Sequence, residues 1–137
     1  MKISLKSEYA LRTIFDLAIH SPGERVSAAG IAGRQSISRQ LLALILAKLK
    51  VGGYISARRG SDGGYCLAKP PDQITVGEVL MYFGEIEPEK HDDAGPFGEL
   101  WSQVDTSILA IAHAATFAEL ASQWENTRNR YVANWEI

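Results

Sequence analysis

At 137 residues and 46% apolar composition the chain is long enough for one domain with an appendage, and it can bury a core. It has no apolar run near the ~18 residues of a membrane helix, no small-residue cleavage site after its opening MKISLKSEYALRTIF, and a single cysteine, Cys66; a spanning segment, a signal peptide and an internal disulfide framework are therefore not expected, and a reducing cytoplasm is. The net charge of −2 hides a division: residues 1–70 hold 11 Lys/Arg against 4 Asp/Glu, or +7, and residues 71–137 hold 3 against 12, or −9, as expected of a nucleic-acid face joined to a part kept off phosphates.

Residues 7–20, SEYALRTIFDLAIH, form the first amphipathic pattern. Tyr9, Ala10, Ile14, Leu17 and Ala18 recur at helical spacing, with Leu11 and Phe15 widening the stripe. Ser7 is the expected N-cap, and Ser21-Pro22-Gly23 the stop. Tyr9 reads equally well as a core residue with a wet hydroxyl or as a phosphate contact.

The stretch from Val26 to Leu67 carries the main signal. Ser27 is an expected N-cap with Val26 stapled onto Ile31, and Ser38 another with Ile37 stapled onto Leu42. Gln35-Ser36-Ile37 is the turn between two helices, the second running to about Lys50 and stopped by Gly52-Gly53. Its expected inner side is Leu41, Leu42, Leu44, Ile45 and Leu49, and its outer side carries Lys48 and Lys50 for phosphates. Two extended runs follow, Tyr54–Arg58 and Gly64–Leu67, joined by Arg59-Gly60-Ser61-Asp62-Gly63. The order is helix, turn, helix and glycine-tipped hairpin with arginines at its base, which is a winged helix-turn-helix suited to duplex DNA. Ser38, Arg39 and Gln40 would meet base edges. Arg58 and Arg59 alternate across a strand, so one of them should reach a phosphate or a minor groove.

Lys69-Pro70-Pro71-Asp72 reads as a rigid connector. Thr75-Val76-Gly77-Glu78 is a capping box opening a short helix with Val76, Val79, Leu80 and Phe83 inward, ended by Gly84. Residues 84–98 are a polar loop with five acids, two prolines and three glycines. A long helix follows from about Phe97 to Ala115. Its apolar seam of Leu100, Val104, Ile108, Ile111 and Ala115, flanked by Leu109 and Ala112, is spaced like a two-fold dimer contact; packing within its own chain is the alternative. Thr116-Phe117-Ala118-Glu119 opens a last short helix with Leu120, Ala121 and Trp124. The polar tail 125–137 keeps Tyr131 and Trp135, two aromatics expected to dock onto a surface such as a partner subunit.

Three passages, KISLKSEYALRTIFDLA, VSAAGIAGRQSIS and LAKLKVGGYISARRGSDGGYCLAKPPDQITVGEVL, resemble the Rrf-two family of bacterial regulators, which includes the iron–sulfur cluster regulator, the nitric-oxide-sensing repressor and the cysteine-metabolism repressor. The resemblance is close over residues 1–83 and one of pattern over 97–121. It implies a winged-helix homodimer whose subunits cross by a long helix and bind a pseudo-palindromic operator. By position it places Ser38, Arg39, Gln40 and Leu41 at the start of the recognition helix and Arg59 and Gly60 in the wing, where Ser61-Asp62 replace the usual Pro-Gly. Ala43 stands where some members carry a base-screening glutamate. Many members hold a cluster on three cysteines in the loop matching 84–98, where this chain has none. Glu8 matches a carboxylate ligand of some members, and a solvated helix-start acid explains it as well. His91, Asp92 and Asp93 could bind a metal but read as a solvated loop, and Cys66 as a packed small hydrophobe.

The expectation is a mainly α chain with a small β-hairpin wing. Residues 1–83 form the DNA-binding domain, 84–98 a regulatory-type loop, and 99–137 the dimerisation helix and tail. The expected function is a DNA-binding regulator, a repressor, acting as a homodimer on double-stranded DNA. It would answer to a small-molecule or protein effector, without cofactor, metal or membrane. The expected DNA face is Tyr9, Ser27, Ser38, Arg39, Gln40, Leu41, Lys48, Arg58, Arg59, Gly60 and Ser61. A winged-helix module that binds protein through its acidic half is the alternative; an enzyme is not expected, because no nucleophile–base pair or phosphate loop occurs.

Overall fold

Serine hydroxyls open the first three helices. The computed structural model describes residues 2–20, 22–86 and 95–135, with side chains to residue 129. In it α1 spans Leu5–Ala18, α2 Ala28–Gln35 and α3 Arg39–Val51. The Oγ atoms of Ser4, Ser27 and Ser38 accept from the N–H groups of Ser7, Gly30 and Leu41, each occupying one of the donors that a helix start leaves open. Two of these caps are as expected. The first is not: Ser4, three residues before Ser7, caps α1, and Ser7 is buried inside it.

The three helices close around Ala10, Ile14 and Leu17 of α1, Ile31 of α2, and Leu42, Ile45, Leu46 and Leu49 of α3. Leu44, expected inward, is 65% exposed. The reason is phase: Leu42, Ile45, Leu46 and Leu49 fall within an arc of about 100° on the helix, and Leu44 falls opposite it. The tight turn into α3 uses Ser36 at positive φ, with Ile37 buried behind it.

Strands β1, Ile55–Arg58, and β2, Gly64–Leu67, form the antiparallel wing, with Ile55 opposite Leu67 and Arg58 opposite Gly64. Val26 adds an isolated antiparallel bridge to β2, exchanging hydrogen bonds of 2.9 and 2.8 Å with Tyr65. The residue before the Ser27 cap is thus part of the wing's sheet, which fixes the start of α2 against the hairpin. Gly63 is required in the turn, since a Cβ there would run into the carbonyl oxygens of Arg58 and Gly60.

A single 3-10 turn at Pro71–Gln73 leads to α4, Val76–Tyr82, capped by the Thr75 hydroxyl. Val79 and Leu80 are buried, and Val76 and Phe83 pack half-exposed against the core. Helix α5 spans Pro96–Ala114 and α6 spans Phe117–Trp135. Pro96, expected in the loop, opens the first turn of α5, a position where proline's missing N–H costs nothing. The α5–α6 turn is clamped to the start of α4: Val76 N–H donates to the Ala115 carbonyl at 2.9 Å and Phe117 N–H to that of Ile74 at 3.0 Å. Phe117 then enters the core. Gly77 lies against the His113 ring and backbone, so close that a Cβ there would collide with both.

Helix α6 is not short. It continues through the stretch expected to be a polar tail, to Trp135. Trp124 lies edge-on to Phe15 of α1, ring centres 6.2 Å apart. The side chains of Tyr131 and Trp135 fall outside those described, as do residues 87–94 with His91, Asp92 and Asp93. Among the described residues no helix is long and apolar enough to cross a membrane.

Candidate nucleic-acid interface

The capped start of α3 puts Ser38, Arg39 and Gln40 in solvent, while Leu41 turns half-buried toward the core. This is where a recognition helix meets base edges. Arg58, Arg59, Gly60 and Ser61 are all exposed in the wing. Between wing and helices lies a groove of about 600 Å³ lined by the cap Ser27, Ala28 of α2, Lys50 of α3, and the wing residues Ala57 to Ser61 and Gly63 to Tyr65. The structure therefore brings Ser27, Arg58, Arg59, Gly60 and Ser61 together, with Lys50 as the lysine that borders them.

Lys48 is elsewhere. Its ammonium sits 4.7 Å from the Phe83 ring centre and 5.4 Å from that of Tyr82, while the Tyr82 hydroxyl donates to the Lys48 carbonyl at 2.6 Å. It is held on the α4 side of α3. Tyr9 is half-buried against the core, with the Arg12 guanidinium 5.5 Å above its ring. Arg12 also pairs with Glu8 at 3.0 Å and donates to the Gln35 carbonyl at the end of α2. The Glu8 carboxylate is thus engaged with Arg12, near the α1–α2 corner.

Two arrangements were not legible beforehand. Asp16 is fully buried in α1 and accepts from Arg34 and Gln35 at the end of α2, which fixes α2 on α1. The paired carboxylate raises the Arg34 pKa above its ordinary value. An acid directly before Leu17, within a largely apolar helix, was the available signal. Glu85 accepts from the backbone N–H and hydroxyl of Ser4 and from the Ser7 hydroxyl. The Ser4 bonds are the main cause of a carboxyl pKa below the usual range. This tie joins the start of the 84–98 segment to the start of α1.

Helix α5 buries none of its residues. Phe97, Leu100, Trp101, Val104 and Ile111 are exposed, with Ile108 half-buried among them on the same side of the helix. His113, which touches Gly77, lies on another side. The expected seam therefore points away from the chain's own α4, and Ala115, half-buried, closes the helix as its C-cap. Phe97 and Trp101 extend the seam and were not assigned to it from the sequence. Cys66 is half-buried, 3.2 Å from the Ser56 hydroxyl across the wing.

The family model described as Rrf2, iron-dependent transcriptional regulator, matches residues 3–123. The HTH-type transcriptional regulator IscR of Cereibacter sphaeroides is 31% identical over 134 residues, covering 88% of this chain and 86% of its own. Among solved structures, IscR of T. potens superposes with a TM-score of 0.80 at 31% identity, covering 93% of this chain and 90% of that one. CymR, the global cysteine regulator of B. subtilis, superposes at 0.81 with 28% identity, covering 90% and 98%.

The residues present do not fit an iron–sulfur cluster of the kind held by thiolates. The one cysteine, Cys66, is on β2, and the α1 start beside the 84–98 segment offers Ser4, Ser7 and Glu8. Among the described residues no three His, Cys, Asp or Glu side chains gather where they could hold a metal ion.

Proposed function

The chain belongs to the Rrf2 family of DNA-binding transcriptional regulators, and from that premise we propose that it acts as a homodimeric repressor on a pseudo-palindromic operator without an iron–sulfur cluster. The observation that carries the DNA reading is the capped, solvent-facing start of α3 beside a wing with Arg58 and Arg59 exposed. Ser38, Arg39 and Gln40 offer hydrogen bonds to base edges. Ser27, Lys50, Arg59, Gly60 and Ser61 follow the sugar-phosphate surface. Tyr9, behind Arg12, supports the α1–α2 corner where it approaches the backbone.

The homodimer rests on the α5 face. A helix of 19 residues, ~28 Å long, leaves its apolar side uncovered, as a surface that meets a partner does. A second copy would cover it isologously and set two recognition helices about one helical turn apart, ~34 Å. The 84–98 segment joins the DNA-binding part to α5, so a small-molecule or protein effector there would change that spacing. The chain would work in the cytoplasm, with the chromosome. The experiment is sedimentation of the purified protein alone and with genomic duplexes it selects. Two chains per duplex are expected; one chain per duplex would reject the dimer.

A further inference from the structure

The side of α3 opposite the core is apolar. Gln40 leads a stripe of Ala43, Leu44, Ala47 and Val51, all exposed, with Leu44 at 65% and Val51 at 86%. Among the described residues nothing covers it. Gln40 and Leu44, four residues apart, lie on one face. The helix carries no acid, and the exposed cations Arg39 and Lys50 border the stripe. A second copy of α3 laid on this face would bring like charges together, whereas a polyanion would meet them favourably. The major groove is both polyanionic and, at one kind of base pair, apolar: the thymine C5-methyl is the apolar group presented there.

We propose that Leu44, with Ala43 beside it, reads thymine methyl groups in each half-site. This rests on the DNA reading above and names the bases that reading leaves open. Gln40 suits the paired donor and acceptor of adenine. Leu44 is ~6 Å further along the helix, close to two base-pair steps of ~3.4 Å. The half-site should therefore hold a thymine about two steps from the pair met by Gln40.

The test is an operator in which each half-site thymine is replaced in turn by uracil, which removes only the methyl. Wild-type affinity should fall about fourfold at the position facing Leu44, the effect of uncovering one buried methyl. Leu44→Ala should bind the native operator more weakly and be indifferent to uracil at that position. Wild-type protein that prefers its operator to random duplex yet accepts uracil everywhere without loss overturns this inference and leaves the DNA reading standing. Protein that prefers no duplex at all overturns both. A Leu44→Ala variant with unchanged DNA affinity but altered sedimentation overturns it in favour of a protein on this face.

Discussion

Arg34 closes on Asp16 with two parallel hydrogen bonds, Nε to Oδ1 and Nη2 to Oδ2, both 2.9 Å. Gln35 adds a third to Oδ1 at 3.1 Å. The carboxylate is wholly buried, while the guanidinium side chain keeps 43% of its surface in water. Three donors from the last turn of α2 therefore converge on one acid of α1, and they set the angle from which α3 departs.

The two partners of this pair are not equivalent. Arg34→Met leaves a buried carboxylate with Gln35 as its remaining side-chain donor among the described residues and should cost about 1–3 kcal/mol of stability, the penalty for a buried polar group left short of partners. Asp16→Asn keeps a hydrogen-bonding oxygen, and the freed guanidinium reaches solvent, so it should cost less. Urea unfolding of both variants checks the order; equal midpoints would show that the pair does not hold the corner.

Dimer formation is tested on α5. Ile111 is 73% exposed in the single chain, so Ile111→Asp should leave the fold intact. In a dimer it buries an unpaired charge, as Ile108→Asp does, at a cost of several kcal/mol. Sedimentation velocity should show monomers with unchanged helical content. A dimer of unaltered strength in both variants means the seam is not the interface.

Within the DNA face the residues should separate by role. Arg39→Ala should cost about 1–3 kcal/mol and relax one base preference if it pairs with guanine. Lys50→Ala should weaken all sequences alike and flatten the salt slope by about one unit, and Arg59→Ala should weaken operator binding through the wing. Lys48→Ala should do less, its ammonium being held over Tyr82 and Phe83. Titrations at several salt concentrations measure this; wild-type affinity in the first three variants would place the face elsewhere.

The Glu85 tie has a pH dependence with a definite sign. Its folded carboxyl pKa lies below the ordinary value. The stabilisation it gives through Ser4 and Ser7 is therefore complete above the ordinary carboxylate range and is lost as pH falls through the lower folded value. The stability difference between wild type and Glu85→Ala should be constant around neutrality and shrink in acid. A difference that grows in acid contradicts the tie.

Much of this fold was legible because its signals are local. A cap needs one oxygen within three residues, so Ser27, Ser38, Thr75 and Thr116 announced their helices. Ser4 escaped because Leu5 and Lys6 lie outside the apolar stripe, which delays the apparent start. Leu44 was misplaced because α3 is apolar on both sides, and composition does not fix phase. The length of α6 was hidden by a sequence with few apolar residues after Trp124. The Asp16–Arg34 and Glu85–Ser4 ties join residues 18 and 81 positions apart, and no local pattern reports such pairings. The seam on α5 was visible for a related reason: its period needs no partner to be read.

Whether a dimer reads DNA through α3 and the wing is decided by letting the purified protein select fragments from its source genome and titrating the enriched sequence against salt. The selected fragments should share a pseudo-palindrome with half-sites about one helical turn apart, bound by two chains, with affinity falling steeply as salt rises. Colourless protein should do this as isolated, with no stoichiometric iron or sulfide. Fragments no more enriched than random duplex, or binding indifferent to salt, would contradict it.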